Sequence, residues 1–101
     1  MTIRTSNNER GEFLITLDET FDFNCVEDFR RAYEQFTPKP DENIVVDFRD
    51  ARYIDSSALG MLINLQKHVQ NSQCKIKLIN PNNDIRKIFM ISRFDKKFDI
   101  S

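Results

Sequence analysis

Two hydroxyl groups and a carboxylate stand side by side in the segment YIDSSALG at positions 53–60. The segment follows an apolar run and opens a helical pattern, so Asp55 is predicted to be a helix N-cap. Its carboxylate would accept a hydrogen bond from a backbone amide of the first turn. Ser56 and Ser57 then occupy the first two helical positions. By spacing alone, they are either ordinary helix-start residues or hydroxyl groups with a function.

Gly60 adds weight to a functional interpretation of this helix start. A glycine in the first turns of a helix costs about 1 kcal/mol relative to alanine. A partner whose backbone approaches closely would explain the residue, and so would tight packing of the helix on a sheet.

A catalytic serine is not expected, because a serine nucleophile normally needs a base within hydrogen-bond distance. The single histidine, His68, follows Ser56 by about 18 Å of helical rise and is predicted to lie on the helix surface. One histidine and two cysteines on separate elements do not form a metal site. With only two glycines, the chain has no glycine-rich phosphate loop, which disfavours a nucleotide-binding protein without excluding it. No cofactor is expected.

The elements that position the serines alternate between strand and helix patterns. Strands are predicted at residues 3–5, 12–17, 43–48, 74–79 and 97–100, and helices begin near residues 22–24, 55 and 80–83. Pro38 and Pro40 are predicted to end the first helix. The second helix should extend to about Asn71, with a core stripe of Ala58, Leu62, Leu65 and Val69.

The resulting order is β-β-α-β-α-β-α-β. Ile44, Val45 and Val46 in succession predict a central strand that is buried on both faces. Right-handed β-α-β crossovers require an at least partly parallel sheet. We therefore predict one α/β domain over residues 1–101, with a mixed four- to five-stranded sheet and about three helices.

The charge composition disfavours nucleic acid and membrane surfaces as partners. The chain of 101 residues has 15 basic and 16 acidic residues and a net charge of -1, so it offers no basic field for nucleic acid or a membrane surface.

Cys25 and Cys74 lie in apolar patterns and are predicted to be reduced core residues. Neither a signal-peptide run nor an apolar run near ~20 residues is present. A cytoplasmic protein is expected.

The run DSSALG at positions 55–60, preceded by the strand at 44–48, resembles the signature of STAS domains. More narrowly, it resembles the anti-sigma factor antagonists of bacteria. Phe21-Asp22 matches an apolar residue and an aspartate that the family has after its second strand, and residues 85–92 resemble its third helix. The resemblance covers nearly the whole chain and implies a STAS-like fold. Ala58 and Glu19 stand where the family often has glycine.

The resemblance also implies a mechanism. The serine directly after the aspartate is the family's phosphoacceptor, which gives Ser56 here, with Ser57 as the alternative. The unphosphorylated protein would bind an anti-sigma factor that is also a serine protein kinase, and so release the sigma factor. Phosphorylation would end the binding, and a metal-dependent serine phosphatase would restore it.

The expected partner surface is the start of the second helix together with the aspartate of the second strand's loop. Its residues are Asp22, Asp55, Ser56, Ser57, Ala58, Leu59, Gly60 and Met61. Leu59 and Ile63 either add an apolar strip to this surface or simply pack on the sheet.

The output of the switch has two interpretations. Residues 21–25 and 29–33 resemble a subgroup from Gram-negative bacteria that appears in motility and biofilm control. The target is therefore either a sigma factor system or a regulator of biofilm formation, motility or cyclic-dinucleotide synthesis.

Overall fold

The computed structural model describes residues 3–37 and 41–101. Within them the chain forms, in order, β1 Arg4–Asn7, β2 Phe13–Thr16, β3 Thr20–Phe21, α1 Val26–Glu34, β4 Asn43–Asp47, β5 Tyr53–Ile54, α2 Ser56–Val69, β6 Lys75–Ile79, α3 Asn83–Ile91 and β7 Asp99–Ile100. Single 3-10 turns at Phe23–Cys25 and Phe94–Lys96 precede α1 and β7.

Five of the strands form one mixed sheet in the order β1-β2-β4-β6-β7. β1 runs antiparallel to β2, and the three other neighbouring pairs are parallel. β4 lies in the middle of this sheet, and its residues Ile44, Val45 and Val46 are all buried. The prediction of an α/β domain with a mixed sheet and three helices is confirmed. The predicted central strand is β4.

A second, two-stranded sheet was not predicted. β3 and β5 pair in parallel, with Phe21 opposite Ile54. Strands of two residues are too short to show an alternating pattern in the sequence. Because Phe21 and Ile54 are paired, the residues that follow them, Asp22 and Asp55, lie side by side at the end of this small sheet.

The element boundaries differ from the predicted ones at several ends. α1 begins at Val26 because the 3-10 turn Phe23–Cys25 intervenes after Asp22. The predicted helix stop at Pro38 and Pro40 lies outside the described residues, and α1 ends at Glu34. α2 ends at Val69, two residues before the predicted end at Asn71.

The helices pack on one face of the large sheet and bury a chain of phenylalanine rings. Phe21 contacts Phe29 and Phe48, with ring centroids 4.9 and 6.0 Å apart, and Phe48 contacts Phe89 at 5.3 Å. All four rings are fully buried, which stabilises the fold by about 1.5–3 kcal/mol for each side chain. This chain anchors β3, and therefore Asp22, to the rest of the core.

Other predicted core positions are confirmed. Ala58, Leu62, Leu65 and Val69 form the buried stripe of α2. Cys25 is fully buried, and Cys74 is half-buried against the core.

Glu12 makes a polar network at the end of the hairpin between β1 and β2. Its carboxylate accepts hydrogen bonds from Asn8 Nδ2 at 2.9 Å, Lys77 Nζ at 3.0 Å and Asn43 Nδ2 at 3.0 Å. These hydrogen bonds lower the pKa of Glu12 from 4.5 to about 2, and the bond from Asn8 has the largest effect, followed by that from Lys77. The ionised carboxylate therefore ties β1–β2, β4 and β6 together.

Candidate functional site

Asp22 and Asp55 cap two neighbouring turns at the end of the small sheet. Asp55 is the N-cap of α2: its Oδ1 accepts the backbone amide of Ala58 at 3.1 Å. Asp22 is the N-cap of the 3-10 turn, and its Oδ1 accepts the amide of Asn24 at 3.0 Å. The N-cap predicted for Asp55 is confirmed.

The second oxygen of Asp55 joins the two turns. Its Oδ2 accepts the backbone amide of Phe23 at 3.3 Å, across 32 positions of sequence. One carboxylate thus holds the start of α2 and the loop after β3 in a fixed relation. Because both oxygens are occupied by amide donors, this geometry does not depend on any bound group.

The two serines differ in exposure. Ser56, the first residue of α2, is exposed, whereas Ser57 is half-buried. Neither hydroxyl makes a hydrogen bond to any residue in the ranges 3–37 and 41–101. The side chain of Ser56 is therefore more accessible from solvent than that of Ser57.

The structure removes one of the two explanations of Gly60. Gly60 is exposed, and a Cβ atom added to it would have no neighbour within 4 Å. Tight packing on the sheet does not account for this glycine. An approaching partner remains as the explanation raised from the sequence.

Two residues of the expected surface lie instead in the core. Ala58 is 0% exposed and Met61 is 5% exposed, so neither side chain can form a substantial contact with a partner. The helical period causes this, since residues 58, 61 and 62 share the face of α2 that packs on the sheet. Leu59 and Ile63 are half-buried and also pack against the core, but each retains some exposed surface.

Sequence reasoning missed two aromatic residues beside the serines. Phe23 is 71% exposed and Tyr53 is 55% exposed. Phe23 belongs to the turn that Asp55 holds, and Tyr53 precedes Asp55 by two residues on β5. Neither position carried a clear sequence signal, because a strand of two residues is too short to show an alternating pattern. Both are exposed apolar side chains on the two segments that Asp55 joins.

The surface around Ser56 is acidic. Residues 18–24 and 53–60 hold four acidic residues and no basic one; the acids are Asp18, Glu19, Asp22 and Asp55. Below them lies Cys25, whose thiol donates to the carbonyl oxygen of Thr20 at 3.4 Å. Burial raises the pKa of Cys25 above 9.0, and the charges of Asp22 and Asp55 add to this effect. The thiol is therefore protonated at neutral pH and behaves as a core residue.

In the described ranges, the histidine and the candidate metal ligands do not come together at Ser56. His68 lies near the other end of α2, where its Nε2 is 3.2 Å from the carbonyl oxygen of Phe36 and its ring contacts Tyr33. Across the described ranges, no three His, Cys, Asp or Glu side chains are grouped to hold a metal ion. None of the helices described is both long and apolar enough to cross a membrane.

Comparison with known proteins gives consistent matches. A family model of the STAS domain matches residues 3–101. The chain is 44% identical over 90 residues to a STAS-domain containing protein of Pseudomonas aeruginosa, a match that covers 89% of this chain and 88% of that protein.

Two solved structures share the fold. An anti-sigma-factor antagonist (STAS) domain protein from Planctomyces limnophilus superposes with a TM-score of 0.81 at 16% identity, over 97% of this chain and 87% of that one. The anti-sigma factor antagonist SpoIIAA in its unphosphorylated form gives a TM-score of 0.71 at 21% identity, over 99% and 87% of the two chains.

Proposed function

Because the chain belongs to the STAS domain family, we propose that it is an anti-sigma factor antagonist controlled by phosphorylation of Ser56. The unphosphorylated protein binds an anti-sigma factor that is also a serine protein kinase, and so releases the sigma factor. A metal-dependent serine phosphatase reverses the modification. The cycle takes place in the cytoplasm, where ATP and the transcription machinery are found.

The observation that carries this proposal is the exposure of Ser56 at a helix start that is already fixed. Asp55 holds both α2 and the neighbouring turn through its two carboxylate oxygens. The backbone at Ser56 is therefore held in place, while its side chain remains open to a kinase. Ser57 is half-buried and therefore less accessible to a kinase.

Phosphate on Ser56 would leave the domain folded. The helix dipole and the amides of the first turn favour a dianion by about 0.3–2 kcal/mol. Repulsion from the carboxylate of Asp55 opposes it by about 3 kcal/mol for each unit charge at ~6 Å and an effective dielectric near 20. For a dianion this leaves an unscreened net cost of about 4–6 kcal/mol, and salt screening at this exposed position lowers it below the ~5–15 kcal/mol by which domains of this kind are stable.

The same phosphate would be far more disruptive inside an interface. A dianion that a partner buries without a cationic counterpart costs several kcal/mol, which corresponds to several powers of ten in affinity. The proposed mechanism is a local block of the binding surface rather than a change of shape.

The proposed surface consists of the exposed and half-buried members of the site. Ser56, Ser57, Leu59 and Gly60 lie on α2, Asp22 and Asp55 cap the two turns, and Phe23 and Tyr53 supply aromatic contacts. Aromatic residues are frequent among the side chains that dominate binding energy. Since Asp22 and Asp55 give this surface a negative charge, a basic partner surface is the matching one. Ala58 and Met61 support α2 from below.

The test is phosphopeptide mapping after incubation with the cognate kinase and ATP. A single phosphate on Ser56 is expected, and the label should disappear in Ser56→Ala but persist in the matched variant Ser57→Ala. A label found mainly on Ser57 would refute the assignment. Recovery of the bound target with Ser56→Ala as bait then identifies the output, whether a sigma factor system or another regulator.

A further inference from the structure

A second exposed apolar surface lies on α3. Ile91 is 82% exposed and Met90 is 49% exposed. They end a stripe at helical spacing that consists of Asn83, Arg86, Lys87, Met90 and Ile91, and these five residues line one shallow groove of about 420 Å³. The opposite face of α3 is already used, because Ile85 and Phe89 are buried in the core. The stripe therefore takes no part in packing the core.

The first half of the helix that carries this stripe is held by two side-chain hydrogen bonds. Asn82 caps α3 by accepting the amide of Ile85 at 2.8 Å. Arg86 Nη2 donates to the carbonyl oxygen of Ser101 at 3.0 Å. A partner would therefore meet a surface that needs little ordering when it binds.

The segment around the stripe is basic, in contrast to the chain as a whole. Residues 83–97 include five basic and two acidic residues, whereas the whole chain has a net charge of -1. The ion pairs found among the described residues all lie outside this segment. Its positive charge is not neutralised within residues 3–37 and 41–101, and its sign is opposite to that of the surface around Ser56.

Charge selects among three candidate occupants. A second copy that packs on the same stripe would bring two segments of equal positive charge together, and they would repel each other. A membrane surface requires a broad apolar face, but only Met90 and Ile91 are available on this helix. An acidic protein segment satisfies both the cations and the apolar side chains.

We propose that the outer face of α3 is a docking surface for an amphipathic, acidic helix of a partner protein. Apolar residues of that helix pack on Met90 and Ile91, and its carboxylates lie beside Arg86 and Lys87. Binding of an amphipathic helix to an apolar groove is a common mode of recognition. The surface shares no residue with the proposed switch at Ser56 and does not depend on it.

The probe is a synthetic amphipathic helix of leucine and glutamate, titrated into the isotope-labelled full chain while amide NMR shifts are recorded. We expect saturable shifts that are largest between residues 83 and 93. Ile91→Asp should lower the affinity at least about tenfold, because it removes the most exposed apolar contact and adds a like charge. The control Tyr53→Ser, which removes an exposed apolar ring elsewhere, should leave the affinity unchanged, and so should Ser56→Asp.

Four results would overturn the proposal. The first two are equal binding of a matched leucine–lysine helix and shifts confined to other parts of the chain. The third is a dimer in sedimentation equilibrium that Ile91→Asp dissociates, which would assign the stripe to a second copy. The last is binding to phosphatidylglycerol vesicles without binding to the acidic helix, which would assign it to a membrane.

Discussion

Replacement of Gly60 separates the stability of α2 from the use of its surface. Gly60 is the fifth residue of α2, it is exposed, and a Cβ atom there would have no neighbour within 4 Å. Gly60→Ala should therefore gain most of the helix-propensity difference, about 0.5–1 kcal/mol, without any steric cost. For a domain of this size, that gain raises the melting temperature by about 4–8 °C per kcal/mol.

Gly60→Arg should also leave the domain stable, but it should weaken binding of the partner. Arginine is also a good helix former, so the melting temperature should equal or exceed that of the wild type. A long cation on the acidic surface would meet the basic partner and weaken binding at least tenfold, about 1.4 kcal/mol. Gln70→Arg is the matched control, since it places the same side chain at the exposed C-cap of α2.

Circular dichroism melts and calorimetry with the partner kinase measure the two effects separately. A lower melting temperature for Gly60→Ala would contradict the open space found around this position. Normal binding by a folded Gly60→Arg variant would show that the partner surface lies elsewhere.

Three further predictions concern the residues around the switch and the sheet. Phe23→Ser and Tyr53→Ser should each weaken binding of the partner kinase in calorimetry without lowering the melting temperature, because both rings are mostly exposed; Met90→Ser is the control, and normal binding by both variants would refute the aromatic contact. Asp55→Ala should lower the free energy of unfolding in urea by about 0.5–2 kcal/mol, since the amides of Ala58 and Phe23 lose their acceptor. Glu12→Gln should lower the free energy of unfolding at pH 7 by up to about 3 kcal/mol, which is the pKa difference between 4.5 and about 2 expressed as energy. Because the folded-state pKa is the lower one, this contribution is present above pH 4.5 and is lost as the pH falls toward 2, so the two proteins should converge there. A constant difference from pH 7 to pH 2 would show that the carboxylate charge is not responsible.

The elements with long patterns could be predicted from the sequence. β4 was recognisable because three successive β-branched residues rarely occur except in a strand buried on both faces. The stripe of Ala58, Leu62, Leu65 and Val69 indicated which face of α2 packs on the sheet. β3 and β5 were missed because two residues cannot show a period.

Only part of the site could be predicted, because some of its features depend on contacts between distant segments of the chain. Asp55 and its cap followed from local chemistry, but the bond from the Phe23 amide depends on a contact between distant segments. Phe23 and Tyr53 were overlooked because a large apolar residue is expected inside a fold, and only the three-dimensional structure shows which ones remain outside. Ala58 and Met61 were placed on the surface because the signature run was treated as one unit. The helical period, which turns both toward the core, was available in the sequence.

The affinity of the partner kinase for the unmodified and the Ser56-phosphorylated protein tests the central claim most directly. The account predicts a loss of at least about a hundredfold, or roughly 2.7 kcal/mol, while the circular dichroism spectrum stays that of the folded domain. Equal affinities for the two forms, or loss of the folded spectrum on phosphorylation, would contradict the proposed block of the surface at Ser56.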